Sequence, residues 1–437
     1  MADERLIVYL DGVRAGHLAQ NSQGRISFTY DEEYRTQRTT VPLSLSMPKA
    51  RTAFPPKPVR AFIAGLLPDS EPALERLASK YRVSPKNPYA LLRNIGRDAA
   101  GAVQILPADV ASTDAATQQG DIEWLSTDDL DTTLADLAQS PDTWDPGRDV
   151  GRWSLAGAQS KIALFRSEDG RWGVPRDSTP TTHILKPSMP NYGGHHLNEY
   201  LCLRAAQLIG LEAANGELLA SERFEVLISH RYDRLQTAGR WRRLHQEDMC
   251  QALSVHPALK YQADGGPGVP QLADLLASNG LSASRRDNQR RLFDYLVYNV
   301  TIGATDAHAK NYSVLLNSTD IRLAPLYDVA SILPYNLEPG LRSAMKIGQT
   351  WEMAKVSESD WAAVGRRLGL SRDESIHRAR SIRLDVPKAI HQAANEPAVP
   401  SALKEGAARI AELITAHAEG NRDAWGRVAV SPPITSD

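Results

Sequence analysis

The segment Gly303-Ala-Thr-Asp-Ala-His-Ala-Lys-Asn-Tyr-Ser313, running into the apolar stretch Val314-Leu-Leu316, decides how this 437-residue chain is read. Asp306 and Asn311 stand five positions apart, the spacing of the catalytic aspartate and the metal-binding asparagine in the protein-kinase catalytic loop. One loop must hold a carboxylate near an incoming hydroxyl and, a short turn later, an amide oxygen on the magnesium ion that neutralises the phosphates. Asp328, in Pro325-Leu-Tyr-Asp-Val329, follows a hairpin-like stretch made of Val314 to Leu316, Asn317-Ser-Thr-Asp320 and Ile321 to Leu326. Kinases place their second metal-binding aspartate at the end of such a hairpin. Either aspartate alone reads as a turn residue; the ordered set of three reads as chemistry.

Upstream, Ser154-Leu-Ala-Gly-Ala-Gln-Ser-Lys161 is a small-residue loop that leaves as a strand, Ile162 to Arg166, turns at Ser167-Glu-Asp-Gly170 and returns over Arg171 to Val174. Thr182-His-Ile-Leu-Lys186 is a short strand ending in a lysine and stopped by Pro187. Asn198 to Ile209 has helical periodicity, with Glu199 placed in its first turn. Strands over Glu217 to Ala220 and Phe224 to Ser229 then lead into His230-Arg-Tyr-Asp233. Phosphate loop, hairpin, strand with lysine, helix with glutamate, hairpin, hinge and a helical half with the catalytic loop is the order of a two-lobed kinase. Backbone N–H groups of small residues approach phosphates closely, an ammonium on a strand offers them a point charge, and a nearby carboxylate keeps that lysine pointed inward. Read separately, Ala156-Gly-Ala158 is a turn and Lys186 a surface lysine.

Helical patterns dominate from Pro270 onward. Leu292, Phe293, Leu296, Val297 and Val300 form a stripe within Arg290 to Val300 that should pack under the catalytic loop, and Ser401 to His417 carries another. Asp264-Gly-Gly-Pro-Gly268 reads as a turn more readily than as an anion cradle. Gln246-Glu-Asp248 reads either as an acid pair near substrate or as a solvated helix start.

The amino-terminal part, residues 1–107, opens with Leu6 to Leu10, Asp11-Gly12 and Val13-Arg-Ala-Gly-His-Leu18, a hairpin with a two-residue type I′ turn. A third strand follows over Arg25 to Tyr30, then helices over Ala61 to Leu67, Glu71 to Tyr81 and Asn87 to Asn94. This α+β unit has no cluster that looks chemical, and its expected role is a structural cap or docking surface. Residues 108–150 read as a linker with a short helix over Ser126 to Leu137, capped by Ser126 or Thr127. Residues 151–255 form an N-lobe-like ATP-binding region and 256–437 a helical C-lobe. The expected fold is therefore α+β: a two-lobed protein-kinase-like fold with an α/β amino-terminal part and a mainly helical carboxy-terminal lobe.

A formal net charge of −2 and a pI near 6.6 exclude a chain that binds nucleic acid or anionic membrane through its global charge. The basic clusters Arg242-Arg243, Arg285-Arg286, Arg290-Arg291, Arg366-Arg367 and Arg378 to Arg383 read as solvated helix faces rather than DNA contacts. With only Cys202 and Cys250 there is no disulfide framework and no metal-ligand spacing. The start, Met-Ala-Asp-Glu-Arg, has no basic and apolar leader pattern, and no run approaches the length of a bilayer span. A cytoplasmic protein without membrane contact is expected.

Taken in order, Val41-Pro-Leu-Ser-Leu-Ser-Met-Pro48, Leu66-Leu-Pro-Asp-Ser70, Ile95-Gly-Arg-Asp98, Ser154 to Lys161, Thr182 to Lys186, Arg243-Leu-His-Gln-Glu-Asp-Met-Cys250, Lys260-Tyr-Gln-Ala-Asp-Gly-Gly-Pro-Gly268, Gly303 to Ser313 and Leu326-Tyr-Asp328 closely resemble the HipA family of serine/threonine kinase toxins. The resemblance implies ATP and Mg²⁺ as cofactors, Asp306 as the catalytic aspartate, and Asn311 and Asp328 as metal ligands. It implies a phosphate loop of Ala156, Gly157, Ala158, Gln159, Ser160 and Lys161, with Lys186, His308, Lys310 and Tyr327 also at ATP. His230, Arg231 and Tyr232 are implied to hold the adenine by their backbone. His230-Arg-Tyr232 departs from the Glu-Arg-Phe of the family's hinge, so only backbone recognition carries over at position 230. Ser154 falls on the family's autophosphorylated serine, whose modification accompanies an ejected phosphate loop and an inactive kinase. A phosphate there would add close to two negative charges beside the segment meant to receive ATP phosphates. The implied partners are a small helix-turn-helix antitoxin of the HipB type, operator DNA through that complex, and an aminoacyl-tRNA synthetase, often the glutamyl enzyme, as substrate. A pseudokinase co-repressor is the alternative, and the complete set Lys186, Asp306, Asn311 and Asp328 argues against it. A metal-dependent nuclease using Asp306, His308 and Asp328 lacks the further carboxylates such sites need.

Overall fold

The computed structural model describes residues 5–109, 121–139, 154, 159–176, 178–189, 192–335 and 340–420. The expected linker, the loop from Pro141 to Asp149 and three phosphate-loop positions, Ala156, Gly157 and Ala158, lie wholly or largely outside the described residues.

In the amino-terminal unit Arg5–Leu10 and Val13–Gln20 pair around Asp11-Gly12, both at positive φ (48° and 78°), as a type I′ turn requires. They sit in a five-stranded antiparallel sheet ordered Ala53–Phe54, Ile26–Tyr30, Val13–Gln20, Arg5–Leu10, Val103–Pro107. Strand residues of period two (Ile26, Phe28, Tyr30) bury against the helices Pro56–Gly65 and Pro88–Ile95, which contribute Phe62, Leu91 and Leu92. Asn87 caps the second of these helices by accepting from the Ala90 N–H at 3.3 Å.

The region expected to bind ATP holds a six-stranded sheet ordered Gly216–Ala220, Glu225–His230, His183–Pro187, Ile162–Arg166, Trp172–Pro175, Ile122–Trp124. Its two faces are covered differently. Val226 and Ile228 join Leu130, Leu134 and Leu137 of the helix Thr127–Gln139, whereas Leu227 between them packs with the helix His195–Leu208. Ser126 caps the first helix, accepting from the Asp129 N–H at 3.1 Å. The second begins at His195, after Gly194 in the left-handed region (φ 72°), so Glu199 lies in its second turn rather than its first.

In the carboxy-terminal half the helix Ser282–Thr301 buries the expected stripe, Leu292 to Val300, against Trp361, Ile390 and Ile414. Gln246–Asp248 pairs with Ser313–Leu316, which pairs with Ile321–Leu323. Met249 and Cys250 pack in one core with the helices of this half and with Leu227 and the helix His195–Leu208. Several basic clusters are internal fasteners: Arg290 pairs with Glu374, Arg291 with Glu212 and Arg378 with Asp294, and Arg243 and Arg383 are buried. Cys202 and Cys250 are buried and free. Among the described residues no helix is long and apolar enough to cross a membrane.

The amino-terminal unit is joined to the hinge through a buried carboxylate. Asp98 accepts from Thr181 Oγ1 at 2.6 Å, Arg234 Nη2 at 2.9 Å and Arg243 Nη2 at 2.8 Å, with Arg231 Nη1 at 3.2 Å. Asp233 takes the other side of Arg231 at 2.9 Å and the Gly101 N–H at 2.7 Å. Burial alone would raise the Asp98 pKa, but Arg234, Arg243 and Arg231 outweigh it and hold the carboxyl well below its ordinary range. Burial and its cationic neighbour Arg231 bring Arg234 down to about 10. Replacing Asp98 with Asn leaves three buried guanidinium groups short of a counter-charge. We expect a loss of about 3–5 kcal/mol, read as a lower urea midpoint at neutral pH. Because the folded-state pKa is depressed, wild-type stability from Asp98 is full above the unfolded value near pH 4 and falls as pH drops below it; the variant should lack that acid-side decline.

Candidate active site

A cavity of about 670 Å³ lies between the sheet of the ATP-binding region and the helical half. Three segments deliver charge to it. Lys186, on the strand His183–Pro187, is buried and places Nζ 2.7 and 3.0 Å from the two carboxylate oxygens of Glu199 and 2.9 Å from Asp328 Oδ1. Burial disfavours its charge, but Asp328 and Glu199 prevail and raise its pKa. Lys186, in turn, is the main reason why the Asp328 carboxyl is held well below the ordinary carboxylate range, against the effect of burial and with help from Lys161. Asp328 itself stands at φ 55°, a left-handed conformation that aspartate tolerates better than most side chains.

The catalytic segment leaves the helix Ser282–Thr301 and turns through a short 3₁₀ stretch, Ala309–Asn311, into the strand Ser313–Leu316. Asn311 Nδ2 donates to the Asp306 carbonyl oxygen at 2.9 Å, which fixes the amide and leaves Oδ1 as its remaining acceptor. The Asp306 side chain is 70% exposed and accepts a hydrogen bond from the Tyr261 hydroxyl. His308 is buried edge-on against Tyr261, with ring centroids 4.8 Å apart, and burial lowers its pKa to about 4. It is therefore neutral near pH 7 and orders the loop without adding charge.

The described part of the phosphate loop, Gln159, Ser160 and Lys161, opens on the same region, and Gln159 Nε2 donates to the Pro187 carbonyl at 3.3 Å. Burial and the neighbouring Lys186 lower the Lys161 pKa to about 8. At the hinge, the His230 and Arg231 N–H groups are taken by the Asn215 and Thr182 carbonyls at 2.9 and 3.0 Å. The Tyr232 N–H makes no backbone hydrogen bond among the described residues. The side chains of this hinge are occupied elsewhere: His230 on Glu217 at 2.7 Å, Arg231 on Asp98 and Asp233, and Tyr232 on Gln246. Tyr327 stands beside Tyr232 with centroids 5.5 Å apart and anchors its hydroxyl on the Lys310 carbonyl at 2.7 Å.

Several groups at the cavity have partners that the sequence did not announce. Lys310 lines the cavity, but its ammonium is bound at 2.5 Å to Asp69, whose other oxygen takes Lys260 at 3.2 Å. The amino-terminal unit, which has no cluster that looks chemical, thus sends a half-buried carboxylate into the wall of the cavity. Glu247 and Asp248 are likewise no solvated helix start. Glu247 accepts from the Leu45 N–H at 2.7 Å, Asp248 caps the turn Met249–Ala252, and both are buried. Ser154 is buried too: its hydroxyl donates to the Leu66 carbonyl at 2.8 Å and its N–H to the Asp98 carbonyl at 2.8 Å. Sequence spacing did not reveal Asp69 or Tyr261, because each acts across the fold; the strings Leu66 to Ser70 and Lys260 to Gly268 were the only signal.

The donor set suits one small hard cation shared with phosphates. Asn311 offers an amide oxygen and Asp328 an ionised carboxylate, and Mg²⁺ is commonly held by one or two protein oxygens plus substrate phosphates and water. Among the described residues there is no group of three or more His, Cys, Asp or Glu side chains that could hold a metal ion.

Two family models match the chain, the HipA N-terminal domain over residues 6–106 and the HipA-like C-terminal domain over residues 153–392. A Sinorhizobium fredii protein named as a candidate kinase, Y4mE, is 36% identical over 375 residues, covering 84% of this chain and 86% of its own length. The serine/threonine-protein kinase toxin HipA of Shewanella oneidensis is 29% identical over 395 residues, covering 86% and 87%. A solved structure of the Shewanella oneidensis HipA, HipB and operator DNA complex has a chain of the same fold, with a TM-score of 0.80, 24% identity, and coverage of 95% of this chain and 96% of that one.

Because Lys161 loses its proton near pH 8, binding of a non-hydrolysable ATP analogue should weaken as pH rises from about 7 to about 9.5, by roughly tenfold, the worth of one charge-assisted hydrogen bond. Titration calorimetry checks this, and Lys161→Met should bind weakly at both ends and show no such slope.

Proposed function

The chain belongs to the HipA family of serine/threonine kinases, and from that premise we propose that it is an ATP- and Mg²⁺-dependent protein kinase acting as the toxin of a toxin–antitoxin pair. The substrate we favour is an aminoacyl-tRNA synthetase of the glutamyl type, whose modification would inhibit translation and promote dormancy. The observation that carries the reading is the placement of Lys186, clamped between Glu199 and Asp328, on the same cavity as Asp306 and Asn311. A scaffold that only bound a partner would have no need to bury that cation beside two carboxylates.

Lys186 and Lys161 present positive charge to the nucleotide phosphates, and the Tyr232 N–H meets the base. Asn311 and Asp328 would hold the metal ion, which supplies charge neutralisation on the phosphates when bound. Asp306 accepts the hydrogen bond of the acceptor hydroxyl and aims its oxygen at the γ-phosphorus. As that oxygen bonds to phosphorus and the bridging oxygen leaves with ADP, the hydroxyl proton passes to Asp306 or to solvent.

Self-inactivation through Ser154 fits the same frame. Ser154 is buried with its hydroxyl on the Leu66 carbonyl, so to accept a phosphate it would have to leave that position. Once modified, the serine offers no donor to that carbonyl and carries close to two negative charges that a buried slot rejects. The family resemblance supports a small helix-turn-helix antitoxin as the restraining partner, with operator DNA bound through it, and a cytoplasmic site of action. The alternative of an inactive co-repressor predicts nucleotide binding without turnover.

Intact-mass and peptide mass spectrometry after incubation with Mg²⁺ and ATP tests the proposal. Unphosphorylated wild type should gain one phosphate on Ser154, whereas Asp306→Asn, with unchanged thermal unfolding, should lose transfer by about 10²- to 10⁴-fold. Equal phosphorylation in the two proteins would refute the role of Asp306.

A further inference from the structure

Lys260 and Tyr261 are consecutive residues that reach two different carboxylates. Lys260 Nζ lies 3.2 Å from Asp69 Oδ2 in the amino-terminal unit, and the Tyr261 hydroxyl donates to Asp306 Oδ1 in the catalytic loop. The segment around them is firmly built. The Tyr261 carbonyl accepts from the Asp264 and Gly266 N–H groups at 3.1 and 2.9 Å, and the Lys260 carbonyl takes the Ala309 N–H of the catalytic loop at 3.4 Å. Gln262 Oε1 accepts from the Lys346 N–H at 2.7 Å, tying the turn to the strand Arg342–Ile347. A Cβ at Gly266 would overlap the Leu259 carbonyl, so the close turn depends on glycine there. The phenol ring is further fixed edge-on to buried His308.

The Asp306 carboxylate is otherwise largely exposed, and the oxygen that Tyr261 occupies is of the kind a kinase offers to a substrate hydroxyl. Burial and the contact with Asp306 raise the phenol's pKa, so it remains a donor over the working pH range. We propose that Tyr261 is the resting occupant of the acceptor-hydroxyl position on Asp306, and that a serine or threonine of a docked protein substrate must displace it. Tyr261 is then a specificity-determining residue: it holds the Oδ1 position of an otherwise exposed carboxylate, where a water would be aligned for attack, while a docked protein has enough contact elsewhere to move the phenol aside. Asp69 takes part through Lys260, which anchors the segment from the amino-terminal unit.

This inference rests on the kinase reading above, and its test separates the two. Phosphate release from Mg²⁺-ATP without acceptor, in which water bonds to the γ-phosphorus, ADP departs and the water proton goes to Asp306 or solvent, is measured beside transfer to dephosphorylated casein as a generic serine and threonine acceptor. Tyr261→Phe should raise phosphate release roughly three- to tenfold and lower the KM for casein by a similar factor, with the KM for ATP unchanged. Lys260→Met, which frees the segment while leaving Lys310 on Asp69, should move both quantities in the same direction by less, and covers the case in which Tyr261→Phe fails to fold. Without nucleotide, both variants should exchange backbone amides faster across residues 257–266. A wild type that transfers phosphate while neither folded variant gains phosphate release overturns the role of Tyr261 and leaves the kinase reading intact. A wild type as inert as Asp306→Asn in both assays overturns the kinase reading and this inference with it.

Discussion

The buried ammonium of Lys186 is the constraint on which the rest of the site depends. A lone lysine inside a protein gives up its proton or is expelled, because its hydration is worth more than the fold can offer. Here Glu199 meets it with both oxygens and Asp328 with one. The strand, the helix and the post-hairpin turn that supply these groups are far apart in sequence, so satisfying one charge fixes three elements against one another. The same charge keeps Asp328 ionised and so able to serve as a metal ligand.

A second set of buried charges brings the amino-terminal unit into the kinase. Asp98 collects Arg231, Arg234 and Arg243 behind the hinge, and Asp69 collects Lys260 and Lys310 behind the catalytic loop. Asp98, its three arginines and Lys310 are buried, and such groups are costly to leave unpaired and geometrically demanding when paired; Asp69 and Lys260 are half-buried. The unit is therefore part of the active-site wall and not a detachable cap. Within this framework the charges of two residues that line the cavity, Arg231 and Lys310, are already met by carboxylates.

What was legible in the sequence was local. The Asp11-Gly12 turn, the stripe from Leu292 to Val300 and the hairpin before Asp328 are written in adjacent residues through turn chemistry and periodicity, and the structure has each of them. The order Lys186, Glu199, Asp306, Asn311, Asp328 was read from the residue types and order that kinase chemistry needs, and the fold brings all five to one cavity. Glu199 was misplaced by a turn because the helix start is set by Gly194 at positive φ, which precedes the apolar pattern. Asp69, Tyr261 and the burial of Glu247 were not legible, since nothing in the neighbourhood of a carboxylate or phenol announces a partner dozens to hundreds of residues away. The basic clusters are solvated in part, with Arg242, Arg286, Arg290, Arg366, Arg367 and Arg380 exposed, but the carboxylates that neutralise Arg243, Arg291 and Arg378 lie far off in sequence at Asp98, Glu212 and Asp294.

The turn following the helix Pro56–Gly65 joins these threads. Its Leu66 carbonyl holds the Ser154 hydroxyl, and Asp69, three residues on, holds Lys310 between Asp306 and Asn311. The segment before the phosphate loop and the catalytic loop, which belong to opposite lobes, thus lean on one short stretch of the amino-terminal unit. Asp98, whose carbonyl takes the Ser154 N–H while its carboxylate grips the hinge arginines, does the same for the hinge. Close-packed supports of this kind have few intermediate positions. A serine that leaves its place beside Leu66 and Asp98 therefore removes packing from the two points where the amino-terminal unit braces the hinge and the catalytic loop, which gives a modification at position 154 a physical route to both halves of the site.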